Sequence, residues 1–177
     1  LYGAEFFAGR SETVAASARG VVPLLSLLVS PQSVLDLGCG KGEWLEALRP
    51  YCAELVGVDV AAPEGDGFIR HDLREPLDLE RAFDLVLCLE VGEHLPAESA
   101  DALVDSATRH SATVAWSAAV PGQEGTGHIN CQPHAYWHSK FATRGYVVED
   151  SIRPLIAHDR SVSSWYRSNT FLYVRAG

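Results

Sequence analysis

The segment VLDLGCGKGEW, Val34 to Trp44, decides the fold. It begins in a short apolar run, Ser33 to Leu37, with the length and character of a strand, and it leads into a helical segment from about Gly42 to Leu48. Gly38, Gly40 and Gly42 stand between the two, with Asp36 just ahead of them. Glycines at such a junction leave the backbone bare, so a ligand can approach it closely. A dinucleotide loop would need G-x-G-x-x-G, and the position of its third glycine holds Glu43. The spacing D-x-G-x-G-x-G therefore argues against a nicotinamide coenzyme.

Outward from this segment the chain alternates strands with helices. On the N-terminal side, about Ser11 to Val29 carries apolar positions at helical spacing and stops at Pro31, which gives one or two helices ahead of the sheet. On the other side, Glu54 to Val60 and Phe68 to Leu73 read as strands, separated by a Pro/Gly-rich turn. Phe83 to Glu90 is a continuous apolar run, as a strand buried on both faces should be. A helix from Ala97 to Thr108 leads to a strand, Thr113 to Val120, and then to a glycine-rich loop, Pro121 to Asn130. A further helix, about Pro133 to Arg144, is stopped by Gly145. Tyr146 to Arg153 and Thr170 to Arg175 close the pattern as strands. No helical segment between them is long enough for a crossover, so they are expected to pair antiparallel. The whole reads as one α/β domain over residues 1–177, a mostly parallel seven-stranded sheet with an antiparallel finish.

Composition narrows the class. A chain of 177 residues, 47% hydrophobic, can bury one sizeable core. The net charge of -9, with Lys41 and Lys140 as the lysines, lacks the basic footprint that nucleic acid requires, so no nucleic-acid partner is expected. The apolar stretch Val21 to Val29 is interrupted by Pro23 and Ser26 and reads as too short for a membrane span. Nothing ahead of it resembles a signal peptide. Cys39, Cys52, Cys88 and Cys131 show no metal-like spacing and are expected as free thiols in a reducing, cytoplasmic compartment. The start at Leu1 and the lack of methionine suggest that residues upstream are missing.

The glycine segment resembles that of the class I methyltransferases that use S-adenosylmethionine (SAM) and release S-adenosylhomocysteine (SAH). The resemblance implies a doubly wound, Rossmann-like fold. It also implies that the loop Gly38, Cys39, Gly40 and Gly42 wraps the methionine end of SAM, whose carboxylate suits a helix N-terminus and whose ammonium suits Asp36. Asp59, about twenty residues on at the end of the second strand, with Val60 beside it, would accept the ribose hydroxyls. Asp72, ending the third strand, would accept from the adenine amino group, with Leu73 at the ring edge, and Glu90 would end the fourth strand beside the methyl donor. Acids at the carboxyl edge of one sheet lie where open α/β sheets bind ligands.

The segment Glu90 to Pro96 resembles the EHxP element of small-molecule methyltransferases, including the ubiquinone-biosynthesis O-methyltransferases. His94 would then sit near the sulfonium, either as a general base for an acceptor hydroxyl or as a loop-shaping residue. In some ubiquinone-pathway and small-RNA 2'-O-methyltransferases an E-x-x-E-H spacing supplies ligands for a divalent metal, corresponding here to Glu90, Glu93 and His94. In the glycine-rich loop, His128, Asn130 and Gln132 alternate and would face one acceptor side, with His128 as second catalytic candidate. His134 and His138 read as an ordinary helix face. Trp165, Tyr166, Arg167 and Asn169 would close the pocket, and Arg10, Arg19, Arg153 and Arg167 are the cations that a carboxylate acceptor would call for. With no inserted cap, the acceptor is expected to be a small molecule, methylated at oxygen, unless a second copy of the chain completes the site as a homo-oligomer. A catalytically silent SAM-binding module is the rival reading.

Overall fold

A computed structural model describes the backbone of residues 4–177 and the side chains of residues 11–177. A single helix α1, Ala4–Val29, precedes the sheet and runs through Pro23. Pro23 is exposed, so the carbonyl that loses its N–H partner faces water, and the helix tolerates the ring. The longer segment Ser11–Val29, which contains Val21 to Val29, is long and apolar enough to cross a membrane by length and composition alone, with mean hydropathy 1.4. Its inner stripe of Ala18, Val21, Val22 and Leu25 is fully buried against the sheet. The helix ends at Ser30, whose φ of 51° forms a left-handed stop before Pro31.

The strands are β1 Ser33–Leu37, β2 Glu54–Asp59, β3 Phe68–Arg70, β4 Leu85–Leu89, β5 Thr113–Ser117, β6 Tyr146–Glu149 and β7 Phe171–Arg175. They form one sheet in the order β3-β2-β1-β4-β5-β7-β6. The first five are parallel, and β7 runs antiparallel to both β5 and β6. The order reverses at β1/β4, which opens a crevice above the carboxyl ends of those strands. One face carries α1, α2 (Glu43–Leu48), α5 (Arg153–Ile156) and α6 (Ser164–Asn169), and the other carries α3 (Ala100–His110) and α4 (His134–Ala142). Buried Leu and Val side chains such as Leu35, Leu85 and Val86 each contribute about 2 kcal/mol to holding these layers together.

Several strands are shorter than their apolar runs. β3 pairs with Gly57 to Asp59 alone and stops at Arg70 because β2 has ended, so Asp72 lies in the following loop and does not end a strand. Phe83 and Asp84 precede β4: the Phe83 N–H donates to His110, and the Asp84 carboxylate accepts from Gln32 and Ser33. The helical segments α5 and α6 fill the stretch between β6 and β7, where the sequence offers no clear period. His110, fully buried, accepts from the Leu79 N–H at 2.9 Å and donates to Ser106 at 2.6 Å, which ties the loop before β4 to α3.

Candidate active site

The glycine loop is strapped to β2 by two backbone bonds, from the Gly38 and Cys39 N–H groups to Val58 at 2.7 and 3.1 Å. Gly38 has φ +80°, and a Cβ there would lie 2.3 Å from Val91, so packing alone demands glycine. Gly40 differs. Its Cβ would meet nothing nearer than Glu43 at 3.9 Å, so the space in front of it is open to a ligand. Asp59 pins the loop from below, accepting from the Gly40 N–H at 3.1 Å and from the Ala61 N–H at 2.8 Å.

Two cavities flank this loop. One, about 270 Å³, lies between Gly38 to Lys41, Trp44, Tyr166 and the Ser11 and Val14 positions of α1. The other, about 300 Å³, is bounded by Asp59, Val60, Asp72, Leu73, Val91 and His94. Gly38 and Glu90 border both. Asp36 is 2% exposed, with one carboxyl oxygen lacking a hydrogen-bond partner. Burial, reinforced by the charges of Asp59 and Glu43, pushes its pKa up to about 8. Burial also raises the Cys39 thiol, which makes it a poor nucleophile. Asp72 borders the second cavity but is paired with the Arg74 guanidinium and accepts the Arg74 N–H at 3.0 Å, and these bonds hold its pKa down at about 2.

On the far side of Glu90 the chain makes a one-turn 3-10 helix, Gly92–His94. Glycine is required at 92 because a Cβ would strike Trp137 at 2.7 Å. Glu90 itself adopts φ 57°, a left-handed conformation that costs on the order of 1 kcal/mol outside glycine and turns its side chain off the strand. The glycine-rich loop is fastened to this turn: the Ile129 and Asn130 N–H groups both donate to the Glu93 carbonyl, at 2.9 and 3.0 Å. That fastening brings His128 against His94, with ring centroids 5.0 Å apart and edge to face. Glu93, His94 and His128 have ligand atoms all within 4.8 Å of one another. Glu93 is fully buried, with its carboxyl set against the Glu90 carboxyl and the Ala119 backbone. Burial, then the facing Glu90 carboxylate, push its pKa up to about 8. The Nδ1 atoms of His94 and His128 meet the carbonyls of Gly127 (3.2 Å) and Gln123 (3.1 Å); carbonyls only accept, so each Nδ1 carries the proton and each Nε2 a lone pair.

The expected metal set Glu90, Glu93 and His94 is not the group whose ligand atoms lie together: His128 joins Glu93 and His94, while the Glu90 carboxylate takes a hydrogen bond from Gln123 at 3.0 Å. The supposed common face of His128, Asn130 and Gln132 is not formed either. Asn130 is buried and donates to the Gly92 carbonyl, and Gln132 donates to Asn130. Tyr166, expected as a closing residue, borders the cavity beside the glycine loop. Arg19 faces an outer groove between α1 and α2, Arg153 is engaged with Asp150 and Ser168, Arg167 reaches the Ala157 carbonyl, and the Arg10 side chain lies outside the described residues. Lys140 forms a Tyr-x-x-x-Lys spacing with Tyr136 on α4, but it is paired with Asp101 at 2.9 Å and sits over the Tyr136 ring. All four cysteines are free thiols.

Comparison with known proteins shows the family. A family model described as a methyltransferase domain matches residues 10–117. The chain belongs to this family, the class I SAM-dependent methyltransferase domains. Among curated proteins it is 38% identical over 91 residues to the ubiquinone biosynthesis O-methyltransferase of Azorhizobium caulinodans, a match that covers 44% of this chain and about a third (34%) of that protein. Among solved structures it is similar to the sugar N-methyltransferase of a Streptoalloteichus species, with TM-score 0.72, 18% identity, and coverage of 100% of this chain and 96% of that one. It is also similar to the magnesium protoporphyrin IX methyltransferase of Synechocystis with bound SAM, with TM-score 0.66, 19% identity, and coverage of 93% and 80%. These structural likenesses carry the fold.

Proposed function

We propose that the chain transfers the methyl group of SAM to a hydroxyl oxygen of a small molecule, and that Glu93, His94 and His128 receive that hydroxyl. The cofactor fits the residues present. The open space at Gly40 admits a ligand against the backbone, and the unpartnered oxygen of Asp36 awaits a donor such as an ammonium. Asp36, Asp59 and Glu90 together suit a ligand that carries both a sulfonium and an ammonium.

The observation that carries the acceptor reading is the convergence of a buried carboxyl with two imidazoles whose lone pairs are on Nε2. Such groups take a proton from an alcohol or phenol as its oxygen attacks the methyl carbon. The sulfonium is already a strong electrophile, so the remaining work is alignment and exclusion of water. A carboxylate acceptor would call for a cation, and the described arginines expected in that role are engaged elsewhere or face the outer groove.

The same three residues also favour a second reading. One carboxylate and two imidazoles, each ring oriented by a backbone carbonyl, match the donor set of a divalent magnesium, manganese or zinc site. Glu93, His94 and His128 would hold the ion, which would supply Lewis acidity toward the acceptor oxygen.

The test uses SAM labelled on the methyl group and a panel of phenols, catechols, sugar alcohols and amino sugars. The label is expected on oxygen, with His94→Ala slowing turnover by about 10² to 10⁴ while leaving SAM affinity within about two-fold. Label found only on amines would refute the oxygen reading. Exhaustive chelation separates the two activation modes: a loss reversed by added divalent ion, with metal found by elemental analysis, supports the ion. Full turnover after chelation leaves His94 acting alone.

A further inference from the structure

Glu90 stands at the junction of the two cavities, sharing that place with Gly38 alone. The sulfonium joins the methionine half of SAM to the adenosine half, so the junction is where its charge must lie. The aim of the Glu90 carboxylate is set from outside its own strand. Its Oε2 accepts from Gln123 Nε2 at 3.0 Å, Gln123 Oε1 accepts from Asn169 Nδ2 at 2.9 Å, and Asn169 Oδ1 takes His134 Nε2 at 3.1 Å. The direction of the chain is dictated by chemistry: a carboxylate accepts, so the Gln123 amide must turn its NH₂ to Glu90 and its carbonyl to Asn169. Asn169 is 1% exposed, and the Glu90 carboxyl, held by this brace on one side, faces the Glu93 carboxyl on another.

We propose that Gln123 and Asn169 are positioning residues that aim the Glu90 carboxylate at the sulfonium, so that the site favours the charged cofactor over its neutral thioether product. The inference rests on the placement of SAM proposed above. It gives a physical route for turnover, because methyl transfer removes the one charge that the braced carboxylate attracts. It also accounts for a polar amide from the loop after β5 and another from α6 meeting at this point.

Calorimetric titration with SAM and with SAH tests this without an acceptor. Gln123→Met and Asn169→Leu are each expected to weaken SAM by about ten-fold and SAH by less than about two-fold. Because both act through one chain of bonds, the double variant should be no worse than Gln123→Met alone. Equal weakening of SAM and SAH would overturn the proposal, since a scaffold defect does not distinguish the two ligands. Multiplying losses in the double variant would do the same. Glu90→Gln separates the premises: if it leaves the SAM/SAH ratio unchanged, the placement of Glu90 is wrong and the proposal falls with it. If it collapses the ratio while folded Gln123→Met does not, the brace alone is refuted. Gln123 is half-buried in a loop, so that variant remains informative even if Asn169→Leu fails to fold.

Discussion

Asp36→Asn should change how the ligand-free protein responds to pH. Asp36 is buried beneath the glycine loop, and its pKa stands at about 8 against an ordinary 3.8. A carboxyl raised in the folded state contributes fully below the unfolded value and loses that contribution as pH rises toward the folded one. Between these limits the unfolded chain releases the proton while the folded chain keeps it. Stability then declines by about 1.4 kcal/mol per pH unit, or about 4 kcal/mol between about pH 5 and about pH 8. Asparagine cannot ionise, so this decline should vanish from the variant. Urea unfolding of both proteins across that range measures it, with the difference between them as the readout so that other titrating groups cancel. Parallel stability curves would refute the argument and show Asp36 solvated or internally paired. A second arm adds saturating SAM near pH 8, where an ammonium beside Asp36 should restore stability to the parent protein more than to the variant.

Two further substitutions test the cofactor cleft. Gly40→Val should abolish SAM binding; its Cβ enters open space, but at φ +55° a β-branched residue is strained, so the domain should fold at a cost of about 1 to 2 kcal/mol. Gly38→Ala should instead lower the melting temperature, because its methyl group strikes Val91. Binding that survives in folded Gly40→Val would remove the cradle from the account. Asp59→Ala should weaken SAM by at least about ten-fold, 1 to 3 kcal/mol, through lost hydrogen bonds to hydroxyls and a loop freed at Gly40, measured by calorimetry. A neutral result would leave Asp59 as a loop fastener only.

Much of the parallel half of the fold was legible because β1, β2 and β4 are apolar runs that end at a glycine or an acid, at Gly38, Asp59 and Glu90. Strand ends were less so. The termination of β3 at Arg70 depends on where β2 stops, a fact of pairing that composition does not carry. Asp36, Gly40 and Asp59 could be placed because they sit at fixed spacing on one loop and the adjacent strand. The acceptor side could not, because its contacts join residues far apart in the chain. His128 is brought to His94 by the hydrogen bonds from Ile129 and Asn130 to Glu93 and by the bond between His94 and the Gly127 carbonyl, and Gln123 meets Asn169 across 46 positions. Helices α5 and α6 are too short to show a period, yet α6 delivers both Tyr166 and Asn169.

The place of β7 in the sheet has a consequence for how the molecule is made. It is the last of the seven strands in sequence and lies between β5 and β6. Until Phe171 to Arg175 is available, β5 has an open edge and β6 has no neighbour with which to pair. A nascent chain can therefore complete the parallel half early, but it must hold two unsatisfied edges until synthesis has passed β7. A ribosome stalled between β6 and β7 would expose this half-built sheet to chaperones and to its own copies.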